Sequence, residues 1–313
     1  MKIICSTVVR AAKQGGIHGG LYVIDTDKEE VIHHAPYEKD FINDNERGGE
    51  RGLRGISVLS DRIIVADSAG FIELDRNTYE IKRTHQDSDY FKSIHEITFY
   101  DDHLWVTSTA YDAVVKVDLD FNVVDFWEFS GLSLSNSKRL TGKSSIAPET
   151  KNEEDQYHIN SITVNDGKVK VSGLLTDLHN LEDMSVSTPI PKFIFNSSGY
   201  NPRVETFSFV HNFYEYRDIS IANLTTFNSL GIYNQQDGWK QVSIPRMKNA
   251  KYSIDDVAVN NWNRGLAKKD NKIVIGSSPA RILIYDLETG EFEKEIQLEK
   301  DIRHAVHGLE ILE

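Results

Sequence analysis

The amino-acid sequence predicts an all-β fold: a six-bladed β-propeller with four-stranded blades, its closing blade shared between the N- and C-termini. Three observations carry this. A four-strand pattern recurs six times, the third strand of every copy ends in Asp or Asn, and the sixth copy is split between the two ends of the chain. Residues 1–313 are therefore read as a single β-propeller domain, a length at which all-β folds still form one unit.

The clearest copy sets the template. Gly55-Ile56-Ser57-Val58 is followed by a polar turn, then by Arg62–Ser68, Gly70–Asp75 and Tyr79–Lys82, four short alternating strands separated by turn residues. The order returns at Ile97–Tyr100, His103–Val106, Ala113–Asp118 and Val123–Trp127, and again at Leu266-Ala267, Lys272–Ser277, Arg281–Asp286 and Phe292–Ile296. Two copies are less regular. One is assigned to Ile162–Val164, Lys168–Val171, Lys192–Asn196 and Val204–Phe207, the other to Ile219–Ile221, Leu224–Phe227, Leu230–Asn234 and Trp239–Val242. Gly308–Leu312 supplies a first strand with nothing after it, and Lys2–Ser6, Gly20–Asp25 and Glu30–His33 supply strands two to four with nothing before them. Pairing the two ends completes the ring and leaves no exposed edge blade.

Asp25, Asp75, Asp118, Asn196, Asn234 and Asp286 end the third strands. Such side chains accept bonds from backbone amides two residues on, so their expected role is to fix the outer hairpin turns.

Composition narrows function. The net charge of −13 argues against nucleic acid or anionic membrane as partner, since phosphate backbones are bound by clustered Lys and Arg. Cys5 is the single cysteine, which excludes an intramolecular disulfide framework. The apolar stretch Met1–Val9 is too short for a signal peptide before Arg10 and Lys13, and no apolar run spans a membrane, so a cytoplasmic protein is expected.

In a propeller the links entering first strands and those joining second to third strands share the face where ligands bind. Four long segments, Val8–Gly19, His34–Leu53, Ser130–Tyr157 and Thr176–Pro191, are expected there as walls or a lid. Aligning the first strands puts Arg54, His95, Asn160, Arg217, Arg264 and His307 at the channel mouth, with His158 two residues before Asn160 and His18 near the closing blade. Gly55, Glu96, Ser161, Asp218, Gly265 and Gly308 follow them. Three converging arginines repel one another unless an anion or carboxylates such as Glu96, Asp218 and Glu215 satisfy them.

Imidazoles from several blades suit zinc, iron or manganese, with His95, His158 and His307 as candidate ligands, or His95 and His307 act as acid–base groups beside Glu96. Arg54, Arg217, Arg264 and Asn160 are the candidate substrate-binding residues. His211 is assigned to the surface or packing, as are His33, His34, His103, His179 and His304. Ser6, Ser68, Ser108, Ser229 and Ser277 recur where second strands end and suit tight turns. No Gly-rich phosphate loop or nucleophile elbow is present.

On its blade count and split closing blade the chain resembles the gluconolactonase and strictosidine-synthase group of propellers. That resemblance implies a hydrolase holding a calcium-type ion with oxygen ligands; Asn160 matches that set, while His95, His307 and the arginines depart from it and disfavour calcium. His158-Ile159-Asn160 and the Arg-Gly pairs are more similar to uncharacterised bacterial propellers. The expectation is an enzyme, a hydrolase, lactonase or lyase, acting on a small anionic molecule at the axial mouth. The alternative is a non-catalytic propeller that binds a protein or glycan through its loop-rich face, for which Tyr37, Phe41, Tyr90, Phe91 and Tyr157 are the available aromatics.

Overall fold

A computed structural model describes residues 1–39, 52–129, 138–141, 155–174, 176–195, 204–207, 209–247 and 262–313. It is a six-bladed propeller of antiparallel four-stranded blades. Blade one comprises Ile56–Val58, Arg62–Ala66, Gly70–Asp75 and Ile81–Gln86. Blade two comprises Ile94–Tyr100, His103–Ser108, Ala113–Val117 and Val123–Glu128, with Lys138–Thr141 added outside as a fifth strand. Blade five is Leu266–Lys269, Lys272–Ser277, Arg281–Asp286 and Glu291–Gln297. In the closing blade His304–Ile311 is the inner strand, and Ile3 pairs Ile311 and Cys5 pairs Leu309 as the two termini meet.

Two blades differ from the expected register. In blade three the third and fourth strands are Leu178–Asn180 and Val186–Thr188, within the segment expected to be a long loop. Lys192–Phe195 and Val204–Phe207 form a separate hairpin, and Asn196 lies outside the described residues. Blade four starts one strand earlier than expected, at Val210–Tyr216, so Ile219–Leu224 is its second strand and Ser229–Asn234 its third. Ser229 consequently opens a third strand instead of ending a second.

The turn prediction holds in the five other copies. Oδ1 of Asp25, Asp75, Asp118 and Asp286, and the side-chain oxygen of Asn234, each accept two backbone amides from the turn that follows. In blade three Asp183 takes over this task, accepting the Ser185 amide.

The apolar core is not at the centre of the molecule. Six hydrophobic clusters among the described residues each sit between two consecutive blades, such as Phe71, Phe91, Ile97 and Phe121 between blades one and two. Stacked sheets bury one another's faces, and this leaves the axis to the inner strands and their polar residues.

At the axial end of each inner strand two residues oppose one on the neighbouring strand. The register shifts at Ile94/Ile97, Ile159/Ser161, His211/Tyr214 and, in the closing blade, opposite Cys5/Thr7. Arg54-Gly55 against Ala66 and Arg264-Gly265 against Gly276 show the same two-against-one bonding. A bulge of this kind re-aims side chains, and here it turns consecutive residues toward the channel. The crowding explains the glycines: a Cβ on Gly308 would overlap the carbonyl oxygen of Arg54, and Gly265 has a φ of +73°.

Candidate functional site

Arg54, His95, Asn160, Arg264 and His307 occupy the predicted ring, all at inner-strand bulges; Arg264 is partly buried and the other four are buried. Arg217 does not. It lies at the opposite end of the inner strand, in the Tyr216–Ile219 turn, with a φ of +53° and with Asp218 beside it in a surface groove. The blade-four position in the ring belongs to His211, which is 5% exposed. The third arginine near the axis is Arg10, carried by the segment after Lys2–Val9, and its guanidinium lies 4.6 Å from the Trp262 ring centroid. His18 is buried away from the ring, with Nε2 on the Lys13 carbonyl and Nδ1 accepting the Lys39 amide.

Four imidazoles converge. The ring centroids of His158, His307 and His211 lie 4.7, 5.1 and 6.2 Å from that of His95. Each of His95, His158 and His211 offers a ring nitrogen, and these three nitrogens lie within 4.8 Å of one another.

The hydrogen-bond partners fix the tautomers. Thr225 Oγ1 donates its proton to the Asn263 carbonyl at 3.2 Å, so its 3.0 Å bond to His211 Nδ1 must be donated by the imidazole. Thr109 Oγ1 likewise donates to the Ile159 carbonyl at 2.6 Å, and His95 Nδ1 lies 2.9 Å from both Thr109 Oγ1 and the Ser93 carbonyl. His158 Nδ1 sits 2.9 Å from both carboxylate oxygens of Asp155. With Nδ1 carrying the proton in all three, each Nε2 keeps its lone pair, the tautomer that metal-ligating histidines adopt when an outer partner orients them. His211 Nε2 is buried without a hydrogen-bond partner.

Local geometry delivers these rings. Thr109 and Thr225 open 3₁₀ turns at 109–111 and 225–227 that end in left-handed Asp112 and Asn228. The Asp112 carboxylate then accepts the amides of Gln156 and Tyr157, fixing the backbone that enters His158. None of Thr109, Asp112, Asp155, Thr225 or Arg10 is singled out by residue type alone.

His307 behaves differently. Arg264 Nη1 donates to its Nε2 at 3.0 Å, so His307 carries its proton on Nδ1, which is buried without an acceptor, as is Arg264 Nε. Burial first, and then the surrounding cationic groups, hold His95, His211 and His307 well below the usual histidine range. Burial and the charges of Arg10 and Arg54 also work against the Arg264 guanidinium. A guanidinium keeps its proton under such stress, so the penalty falls on a charged group that a neighbouring negative charge would relieve.

Asn160 spends both ends of its amide internally, donating to the Val210 carbonyl at 3.0 Å and accepting from Ser161 Oγ at 2.9 Å. Glu96 points into the channel below the ring. Its carboxylate accepts Asn212 Nδ2 at 2.6 Å, the Tyr214 hydroxyl and the Ile162 amide at 3.3 Å. Burial pushes Glu96 up to about 7, and burial together with the charge of Glu96 pushes Glu310 up to about 8.

Both values exceed the ordinary 4.5 of an unfolded chain. The fold thus binds these protons more tightly, and the stability they contribute is complete below about pH 4.5 and lost as pH rises through 7 and 8. Thermal melts from pH 5 to pH 9 should show Tm falling across that window. Glu310→Gln should flatten the fall; an unchanged profile in that variant would remove Glu310 from the account.

No family model matches the chain, and no curated protein sequence does. Among solved structures, a chain of a nidogen/laminin complex aligns with 99% of this chain and 97% of its own length, with a TM-score of 0.59 and 6% identity. A streptogramin B lyase aligns over 79% of this chain and 68% of its own, with a TM-score of 0.46 and 11% identity. A catalytically inactive virginiamycin B lyase from Staphylococcus aureus, solved with quinupristin, aligns over 80% and 71%, with a TM-score of 0.46 and 12% identity. Likeness at this level bears on the fold alone, and none of it singles out the gluconolactonase group. Among the described residues no helix is long and apolar enough to cross a membrane.

Proposed function

We propose that this propeller is a metal-dependent enzyme that hydrolyses a small anionic substrate at the axial mouth. The observation that supports it best is the cluster of His95, His158 and His211, which bring one ring nitrogen each to within 4.8 Å of one another while each Nδ1–H is bonded elsewhere and each Nε2 keeps its lone pair. Three nitrogen ligands with further positions open suit zinc, iron or manganese, and an all-imidazole set does not suit calcium. When bound, such an ion supplies Lewis acidity and lowers the pKa of water in its open positions.

Beside that space stand the donors for the substrate. Arg264 Nε–H and His307 Nδ1–H are buried without acceptors, and Arg54 and Arg10 add positive charge. In this reading His307 is a hydrogen-bond donor to the substrate anion and not a base, because its Nε2 already accepts from Arg264. His95 is a ligand and not a proton carrier. Arg54 and Arg264 keep their assignment to the anion, Arg217 gives up its place to Arg10, and Glu96 moves from the chemistry to the support beneath it.

The aromatics available to the non-catalytic alternative are divided, with Tyr37 and Tyr157 half-buried. Tyr90 and Phe91 are buried in the core, and the Tyr37 hydroxyl is bonded to Asp67. Phe41 lies outside the described residues.

The reading is tested by elemental analysis of untagged protein and by Arg264→Ala. Near-stoichiometric transition metal is expected in the parent. Loss of a desolvated charged contact costs about 2–5 kcal/mol, so binding of inorganic phosphate, scored by calorimetry on the metal-loaded protein, should fall out of range in the variant. Stability should change little, since the bond lost to His307 Nε2 is offset by removing a guanidinium that burial and the charges of Arg10 and Arg54 work against. A large drop in Tm with phosphate binding intact would instead make Arg264 a structural residue.

A further inference from the structure

The three histidines come from three consecutive blades: His95 from blade two, His158 from the entry to blade three and His211 from blade four. One side chain bonds all three blades directly beneath them. Glu96, the residue after His95, accepts the Ile162 amide of blade three through Oε2. Through Oε1 it accepts Asn212 Nδ2 and the Tyr214 hydroxyl, both of blade four. Asn212 is itself the residue after His211. Its Oδ1 accepts Asn223 Nδ2 at 3.0 Å and the Gly265 amide at 2.8 Å, and Gly265 follows Arg264.

We infer that Glu96 is a positioning residue whose carboxylate sets the separation of His95 and His211, and through Asn212 their distance from Arg264. The inference rests on the metal reading for its purpose but on hydrogen-bond geometry for its substance. A propeller has no covalent brace across its axis, and adjacent blades are held mainly by apolar faces that tolerate sliding. Directional bonds between the residues that follow His95 and His211 remove that freedom. Loss of an outer-sphere partner of this sort typically weakens metal binding ~10–100-fold.

Glu96→Gln is the direct test. The amide keeps one oxygen for Asn212 and Tyr214 but turns an NH₂ toward the Ile162 amide, replacing an acceptor by a donor. Two measurements are made on the full chain: zinc affinity by chelator competition, and the ¹⁵N resonances of the histidine ring nitrogens without metal. The expected result is ~10–100-fold weaker zinc binding and displaced His95 and His211 resonances, with Glu310→Gln leaving both as in the parent. Tyr214→Phe, which removes one donor only, gives a smaller shift in the same direction and serves if Glu96→Gln fails to fold. Resonances that superimpose on those of the parent in Glu96→Gln overturn the inference. If the parent binds no zinc but the resonances move, the positioning role stands and the metal reading falls.

Discussion

Removing residues 307–313 should leave a chain that no longer unfolds cooperatively, although trimming seven terminal residues is usually harmless. These residues are most of an inner strand. Leu309 and Leu312 are 3% and 8% exposed and belong to the clusters on the two sides of the closing blade, and Ile311 packs against one of them. Each fully buried aliphatic side chain contributes about 1.5–3 kcal/mol, so the loss of Leu309 and Leu312 alone costs about 3–6 kcal/mol. The truncation also strips Ile3 and Cys5 of their strand partners and frees the Ser6 hydroxyl from the Gly308 amide. Domains hold only about 5–15 kcal/mol in total, and an opened propeller exposes two sheet edges in addition. Circular dichroism melts decide it. A truncated chain that unfolds within a few degrees of the full one would show that the ring is not held shut by its termini.

The same closure shows why the fold was legible in the sequence and the site only partly so. Alternating strands and the Asp that ends each third strand are local signals, and both survive in blades one, two and five and in the closing blade. Blade three failed because its third strand is short and ends in Asn180, where Asp183 caps the turn from a different position. Blade four differs because Leu224–Phe227 reads as a strand but Thr225–Phe227 is a 3₁₀ turn, which displaces the first two expected strands while leaving the third and fourth in place, and exchanges His211 for Arg217. A repeated signal would have corrected this. Thr109-Ala110-Tyr111-Asp112 and Thr225-Thr226-Phe227-Asn228 are the same turn, and each Thr lies 14 residues after the histidine it orients. Aligned on that turn, His95 and His211 become equivalent. Arg10 had no such marker, because it reaches the axis from a link between strands and not from a repeat position.

The decisive experiment compares four histidine variants. His95→Ala, His158→Ala and His211→Ala should each lose the metal, while His307→Ala should retain it and lose anion binding. The prediction is sharp because His307 is as near to His95 as the others are, with ring centroids 5.1 Å apart, and differs from them only in where its lone pair is spent. Its Nε2 accepts from Arg264, whereas His211 Nε2 is buried with nothing to accept from. Deleting one of three ligands should weaken binding beyond the ~10–100-fold that loss of an outer partner costs. The acid limit carries the same information. A histidine binds metal only when neutral, and His95 and His211 are held well below the ordinary 6.5. Protons therefore compete at these two ligands later than at exposed imidazoles, and metal should be lost at lower pH than from a cluster of exposed histidines. Metal content by mass spectrometry after dialysis at stepwise lower pH gives both answers. A parent that carries no transition metal and binds none added would end the metal reading. Metal lost from His307→Ala but kept in His211→Ala would move the site to the other side of the ring.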